Sequence, residues 1–68
     1  MKVYNKRFII QTDASPIKFH AQKGELVDEI NQAAFYVNRE KAEEDLKMYA
    51  DRPELECHIA ECMLTYEF

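Results

Sequence analysis

A chain of 68 residues has room for one domain with a small core, because a chain this short buries only about 60% of its unfolded surface on folding. Its 47% hydrophobic and 32% charged residues, with one glycine and two prolines, are typical of a globular protein and argue against disorder or low complexity. The net charge of −4 argues against a largely phosphate-binding surface. We expect a single domain over residues 1–68.

The first part of the chain predicts an antiparallel β-hairpin. Residues 6–12 hold a short apolar run between polar residues, and residues 17–21 alternate apolar and polar side chains. Residues 13–16 between them, Asp-Ala-Ser-Pro, are typical of a turn. In this prediction one face of the hairpin is covered, and His20 lies on the exposed face.

A capped helix is the clearest element of the second half. Residues 26–34 carry apolar side chains at helical spacing over a short segment, which predicts one or two helical turns, and residues 35–37 predict a brief extended piece. Asn38 is a good N-cap residue because its side-chain oxygen can accept from an otherwise unpaired backbone N–H. The main helix is predicted over about 39–50 and ends before Pro53.

The last segment is the longest strand candidate, and its apolar pattern changes parity partway along. Leu55, Cys57 and Ile59 are apolar at odd positions, whereas Ala60, Cys62, Leu64, Tyr66 and Phe68 are apolar at even ones. A β-bulge near Ala60 and Glu61 would turn both sets to the same face, and this is the interpretation that we prefer. The alternative is that one set faces an oligomer interface, since the segment that ends in Tyr66 and Phe68 has the apolar character of such an edge.

These elements predict an α+β domain in the order ββ, short helical turn, β, α, β. It has a small antiparallel sheet of three to four strands with one main helix packed on one face. The expected core consists of Phe8, Ile10, Ile17, Phe19, Leu26, Ile30, Phe35, Ala42, Leu46, Tyr49, Leu55, Cys57, Ile59 and Leu64.

The second half resembles a class of small open reading frames in phages and prophages of Gram-positive bacteria. The residues that carry this resemblance are Asp28, Glu29, Ile30, Ala33, Ala34 and Phe35, then Asn38, Arg39, Glu40, Ala42, Glu43 and Leu46, then Ile59, Glu61, Leu64, Thr65 and Tyr66. The resemblance implies a cytosolic accessory protein of a class whose role is mostly unknown and some members of which are suspected of binding host or anti-phage factors. It assigns no role to any single residue.

Few residues could carry catalysis or hold a metal ion. His20, Cys57, His58 and Cys62 are zinc-ligand types, but Cys57 and His58 are adjacent and point to opposite faces of a strand. The same alternation separates them as nucleophile and base. Cys57 and Cys62 are also too distant for a disulfide, since strand residues five apart lie roughly 16 Å apart. We therefore expect a non-enzymatic protein with reduced thiols and without catalytic residues, cofactor or metal.

The charge and the apolar runs bear on partners and location. Residues 1–24 hold five of the nine basic residues against one acidic residue, but the acidic remainder and a pI near 5.0 argue against nucleic-acid binding. The longest apolar run, residues 33–37, is far too short to cross a bilayer, and the N-terminal residues lack the apolar stretch of a signal peptide. We expect a cytoplasmic protein that does not contact membranes.

Protein binding is the leading function by elimination, with an unidentified protein as the partner. The acidic helix face and the terminal strand are the expected binding surfaces, formed by Glu40, Glu43, Glu44, Asp45, Tyr66 and Phe68. Two alternatives stay open. One is a structural homodimer joined through the terminal strands, and the other is a weak nucleic-acid binder that uses the basic N-terminal hairpin.

Overall fold

Two long strands form the centre of the structure, a computed structural model that describes the backbone of residues 1–68 and the side chains of residues 1–22 and 24–68. Strand β1 (Lys2–Thr12) pairs antiparallel with β4 (Cys57–Glu67) over their whole length. Two short strands, β2 (Phe19–His20) and β3 (Leu26–Val27), complete a sheet of order β3-β2-β1-β4. The predicted α+β fold with a small antiparallel sheet is confirmed.

The β1–β4 ladder is unbroken, so the predicted bulge near Ala60 and Glu61 is wrong. Each residue of β4 faces its own partner in β1, from Cys57 opposite Thr12 to Glu67 opposite Lys2, and no residue is inserted between them. Because side chains alternate along an unbroken strand, the parity change sends the two apolar sets to opposite faces of the sheet.

The helix side of the sheet carries the even residues of β1 and the odd residues of β4. Ile10 lies opposite Ile59 in the ladder and is completely buried. Helix α1 (Arg39–Leu46) contacts both strands, and its fully buried residue is Ala42. The other face carries Ile9, which is also buried, and the even residues of β4 from Ala60 to Tyr66.

The start of the main helix is confirmed by its cap. The Lys41 backbone N–H donates to Asn38 Oδ1 at 2.8 Å, which satisfies one of the unpaired donors of the first turn. After α1 the chain tightens into a 3₁₀ turn, Lys47–Tyr49, and a second one follows at Pro53–Leu55. Over the described residues, no helix is both long and apolar enough to span a membrane.

The stretch 26–34, predicted as one or two helical turns, differs from the prediction. Leu26–Val27 is a strand, because it pairs with β2, and Ile30–Gln32 is a 3₁₀ turn. Another 3₁₀ turn, Gln22–Gly24, lies just before this stretch. Gly24, in the connection between β2 and β3, has a φ of 79°, a conformation that favours glycine. The extended piece is confirmed at Tyr36, which forms an isolated antiparallel bridge with Phe8.

The observed core is smaller than the predicted one. Ile10, Ala42 and Tyr49 are buried as expected, but Ile17 is 51% exposed and Ile30 is 46% exposed. Both of the exposed isoleucines lie outside the strands that pair with β1. The prediction that they belong to the core is wrong.

Shortening Ile10 tests where the core lies. Ile10→Ala should lower the free energy of unfolding by about 2 to 5 kcal/mol, because it leaves a cavity under the helix. Ile17→Ala is the matched control and should cost less than about 1 kcal/mol, since half of that side chain is already exposed. Urea denaturation measures both values. Equal losses for the two variants would contradict the observed packing.

Candidate functional site

The far end of the β1–β4 pair is uncovered on both faces. Residues 1–4 and 65–68 are all exposed, although they alternate between the two faces of the sheet. The molecule is elongated, with a longest extent of 43 Å. We call residues 1–6 together with 63–68 the ribbon end. Its exposed large apolar side chains are Met1, Val3, Tyr4, Met63, Tyr66 and Phe68.

The outer edge of β4 offers unpaired backbone groups. Phe8 exchanges both of its backbone hydrogen bonds with Tyr36, at 2.9 and 2.8 Å, so its N–H and C=O point away from β4. Its ladder partner Glu61 must therefore point its own N–H and C=O away from β1. At the chain ends the backbone groups of Phe68 and Met1 bond to each other. The even residues of β4 therefore direct their backbone N–H and C=O groups toward β1.

By this alternation every odd residue of β4 directs its backbone groups outward. We call this row the β4 edge, formed by the N–H and C=O groups of Cys57, Ile59, Glu61, Met63, Thr65 and Glu67. No backbone partner outside the ladder is found for these groups among the described residues. Such a row is a template for another strand.

The predicted site residues do not form one surface. The four acidic residues lie on α1, on the helix side, while Tyr66 lies on the opposite face of the sheet at the ribbon end. Phe68 continues the same alternation and is 79% exposed. The structure therefore separates the expected site into a helix surface and a strand surface.

The acidic helix face is largely occupied by contacts within the chain. Glu43 Oε1 lies 3.3 Å from Arg39 Nε, and Glu44 Oε2 lies 3.8 Å from Lys41 Nζ. Asp45 accepts a hydrogen bond from the Tyr36 hydroxyl at 2.6 Å. These contacts reduce the negative charge that the helix presents to a partner.

A buried polar cluster lies between the helix and the sheet, and the sequence analysis missed it. His20 is only 2% exposed, so the prediction that it faces solvent is wrong. Its Nδ1 lies 2.6 Å from the Tyr49 hydroxyl, and its ring stacks on that of Tyr36 with an interplanar angle of 12°. Phe19 lies opposite Gln11, which turns the adjacent His20 toward the helix side.

Burial sets the protonation of this cluster. It lowers the pKa of His20, although the nearby Asp45 carboxylate opposes the change. It also raises the pKa of both Tyr36 and Tyr49, so both hydroxyls stay protonated at neutral pH. His20, Tyr36 and Asp45 of the cluster line an open cleft of about 500 Å³. The hydrogen bonds of the cluster join β2, the extended piece at Tyr36 and the helical segment that holds Asp45 and Tyr49, which is the role expected of a satisfied buried network.

The two cysteines are free thiols on opposite faces of β4. Both are half-buried, and burial raises the pKa of Cys57 and of Cys62, so neither is an activated nucleophile at neutral pH. His58 Nδ1 lies 3.2 Å from a carboxylate oxygen of Asp13. Within the described part of the chain no three His, Cys, Asp or Glu side chains are grouped to hold a metal ion.

Comparison with known proteins adds no constraint. No family model matches the chain, and no curated protein or solved structure matches it. The resemblance to small phage and prophage proteins stays a prediction, and the function has to be argued from the surfaces described above.

The buried His20 predicts a loss of stability in acid. Its folded pKa lies below the unfolded value of 6.5, so below that pH the unfolded chain binds a proton that the folded chain does not. The contribution of the neutral His20 ring to the free energy of unfolding is therefore complete above pH 6.5 and is lost as the pH falls through the folded pKa. Urea denaturation over a pH series measures this decline.

The controls for this prediction are two glutamine variants. His20→Gln should flatten the decline in stability. His58→Gln should leave the decline in place, because the His58 side chain is 40% exposed. NMR titration of the His20 ring in the unaltered protein gives the folded pKa directly. A value at or above 6.5 would contradict the buried, neutral ring.

Proposed function

We propose that this protein is a small, non-enzymatic, cytoplasmic binding module whose protein partner adds a strand to the β4 edge. The observation that carries the proposal is an edge strand of eleven residues whose outward backbone groups are free in the described structure. In strand addition the main chain supplies affinity, and the flanking side chains supply specificity. Reduced thiols at Cys57 and Cys62 fit a reducing compartment.

The β4 edge has few of the features by which proteins block exposed strands. Edges are commonly protected by proline, a bulge or a very short strand, and β4 has none of these over its described length. Its charged residues are Glu61 and Glu67, both on the helix side. An open edge of this length is favourable for pairing with another strand.

The side chains that flank the edge differ between the two faces. The helix side presents Glu61, Met63 and Thr65, and the opposite side presents Leu64 and Tyr66. Aromatic residues and methionine are enriched in the centres of protein interfaces, whereas glutamate is typical of the rim. Leu64 and Tyr66 therefore favour a strand with apolar side chains on the side away from the helix, whereas the helix side suits a strand with both apolar and polar side chains.

The other two surfaces are less favourable. On the acidic helix face, Glu43, Glu44 and Asp45 already have partners within the chain. In the basic hairpin, Lys6 lies 3.3 Å from Glu61 and Lys18 is bonded to Asp28. A phosphate would have to displace these carboxylates, which argues against nucleic-acid binding through the hairpin.

Two proline variants at the same level of the ribbon end test the proposal. Thr65→Pro removes an outward N–H from the β4 edge, while Tyr4→Pro, its ladder partner, removes one from the opposite edge of β1. Neither change removes a hydrogen bond between β1 and β4. A tagged protein should capture a partner from bacterial lysate that also contains the untagged chain, and Thr65→Pro should abolish capture while Tyr4→Pro leaves it unchanged.

Charge reversal separates the edge from the helix face. The double variant Glu40→Lys and Glu44→Lys alters only exposed side chains of α1, so it should leave capture and stability nearly unchanged. Nuclease treatment of the lysate should also leave the captured protein in place. Capture that survives Thr65→Pro but is lost on charge reversal would contradict the proposal and favour the acidic face.

A further inference from the structure

We propose that the strand added to the β4 edge is β4 of a second copy of this chain, paired antiparallel about a two-fold axis at Cys62. This inference rests on the proposed function, because it names the partner of the same edge. A two-fold axis is the commonest symmetry of homo-oligomers, and it brings the same surface patch of both copies together.

The backbone restricts how two β4 edges can meet. Only odd residues direct their N–H and C=O outward, so an odd residue must lie opposite an odd residue of the second copy. The register that pairs the whole of Cys57–Glu67 with itself meets this condition and is centred on Cys62. Its pairs are Cys57 with Glu67, His58 with Tyr66, Ile59 with Thr65, Ala60 with Leu64, Glu61 with Met63, and Cys62 with Cys62.

Charge and the length of the overlap together select this register over its neighbours. An axis at Glu61 places the two Glu61 carboxylates directly opposite each other, and an axis at Leu64 opposes Glu61 with Glu67. An axis at Met63 avoids like charges but leaves Cys57 and His58 of each copy outside the β4–β4 overlap. The Cys62 register is the longest one that opposes no like charges.

The remaining repulsion in this register is compensated within each copy. The two Glu61 side chains become diagonal neighbours, which lie about 7 to 8 Å apart in antiparallel sheets. Lys6 of the same copy already lies 3.3 Å from Glu61, so each carboxylate enters the interface with its own counter-charge.

The face away from the helix gains apolar contacts. Tyr66 is 50% exposed and would lie beside His58 of the second copy, while Leu64 would lie beside Ala60. The two Cys62 residues form a non-hydrogen-bonded pair, whose Cα atoms lie about 4.5 Å apart. That separation is short enough for a disulfide, so Cys62 reports directly on the register.

Thiol crosslinking tests the axis. Diamide oxidises two adjacent thiols to a disulfide and takes up their two hydrogens, and about pH 9 suits the reaction because burial raises the pKa of the Cys62 thiol. The unaltered protein and Cys57→Ser should both give a covalent dimer, and Cys62→Ser should give none. A dimer that crosslinks through Cys57, or through Met63→Cys in a Cys62→Ser background but not through Cys62, would overturn the register.

Sedimentation under reducing conditions tests the pairing without any covalent link. The unaltered protein should dimerise, and Thr65→Pro should weaken dimerisation at least about tenfold, because the symmetry doubles each lost hydrogen bond. Tyr4→Pro is the matched control and should dimerise normally. A protein that stays monomeric at high concentration, or a dimer insensitive to Thr65→Pro, would overturn the inference.

The two proposals fail in different ways. If the protein is monomeric and Thr65→Pro abolishes capture of a lysate protein, the second-copy inference is overturned and the proposed function stands. If the protein is monomeric and capture does not depend on Thr65, both are overturned.

Discussion

The unbroken pairing of β1 with β4 is the constraint on which the rest of the structure depends. One continuous register decides, for every residue of β4, which face its side chain occupies and whether its backbone groups point to β1 or outward. Ile59 therefore packs under the helix, while Tyr66 lies on the other face. A single inserted residue in β4 would send every side chain beyond it to the other face of the sheet.

The helix is held on this sheet by a mixture of apolar and polar contacts. Ala42 and Ile10 are completely buried, and beside them His20 bonds to Tyr49 while Tyr36 bonds to Asp45. These hydrogen bonds satisfy groups that would otherwise be costly to bury in so small a core. The helix thus covers one face of the sheet, and the β4 edge and the ribbon end stay uncovered.

Local signals in the sequence predicted the helix and its cap, because Asn38 satisfies its own neighbouring backbone. The sequence could not place His20, since its partner Tyr49 is 29 residues away and alternation alone put His20 on a polar face. The parity change in β4 was visible, but its meaning depends on what covers each face of the sheet. Which residues of β4 point their backbone groups outward depends on the alternation of hydrogen-bonded and non-hydrogen-bonded pairs. The bridge between Phe8 and Tyr36 shows this alternation, whereas the residue types do not.

Residue-resolved amide hydrogen exchange along β4 tests the central claim most directly. An unbroken ladder predicts slow exchange at His58, Ala60, Cys62, Leu64 and Tyr66, and fast exchange at the odd positions between them, in dilute protein. The odd amides should become protected as the concentration rises, when a second strand covers the edge. A loss of the alternation near Ala60 would contradict the continuous register, and odd amides that stay fast at every concentration would contradict self-pairing.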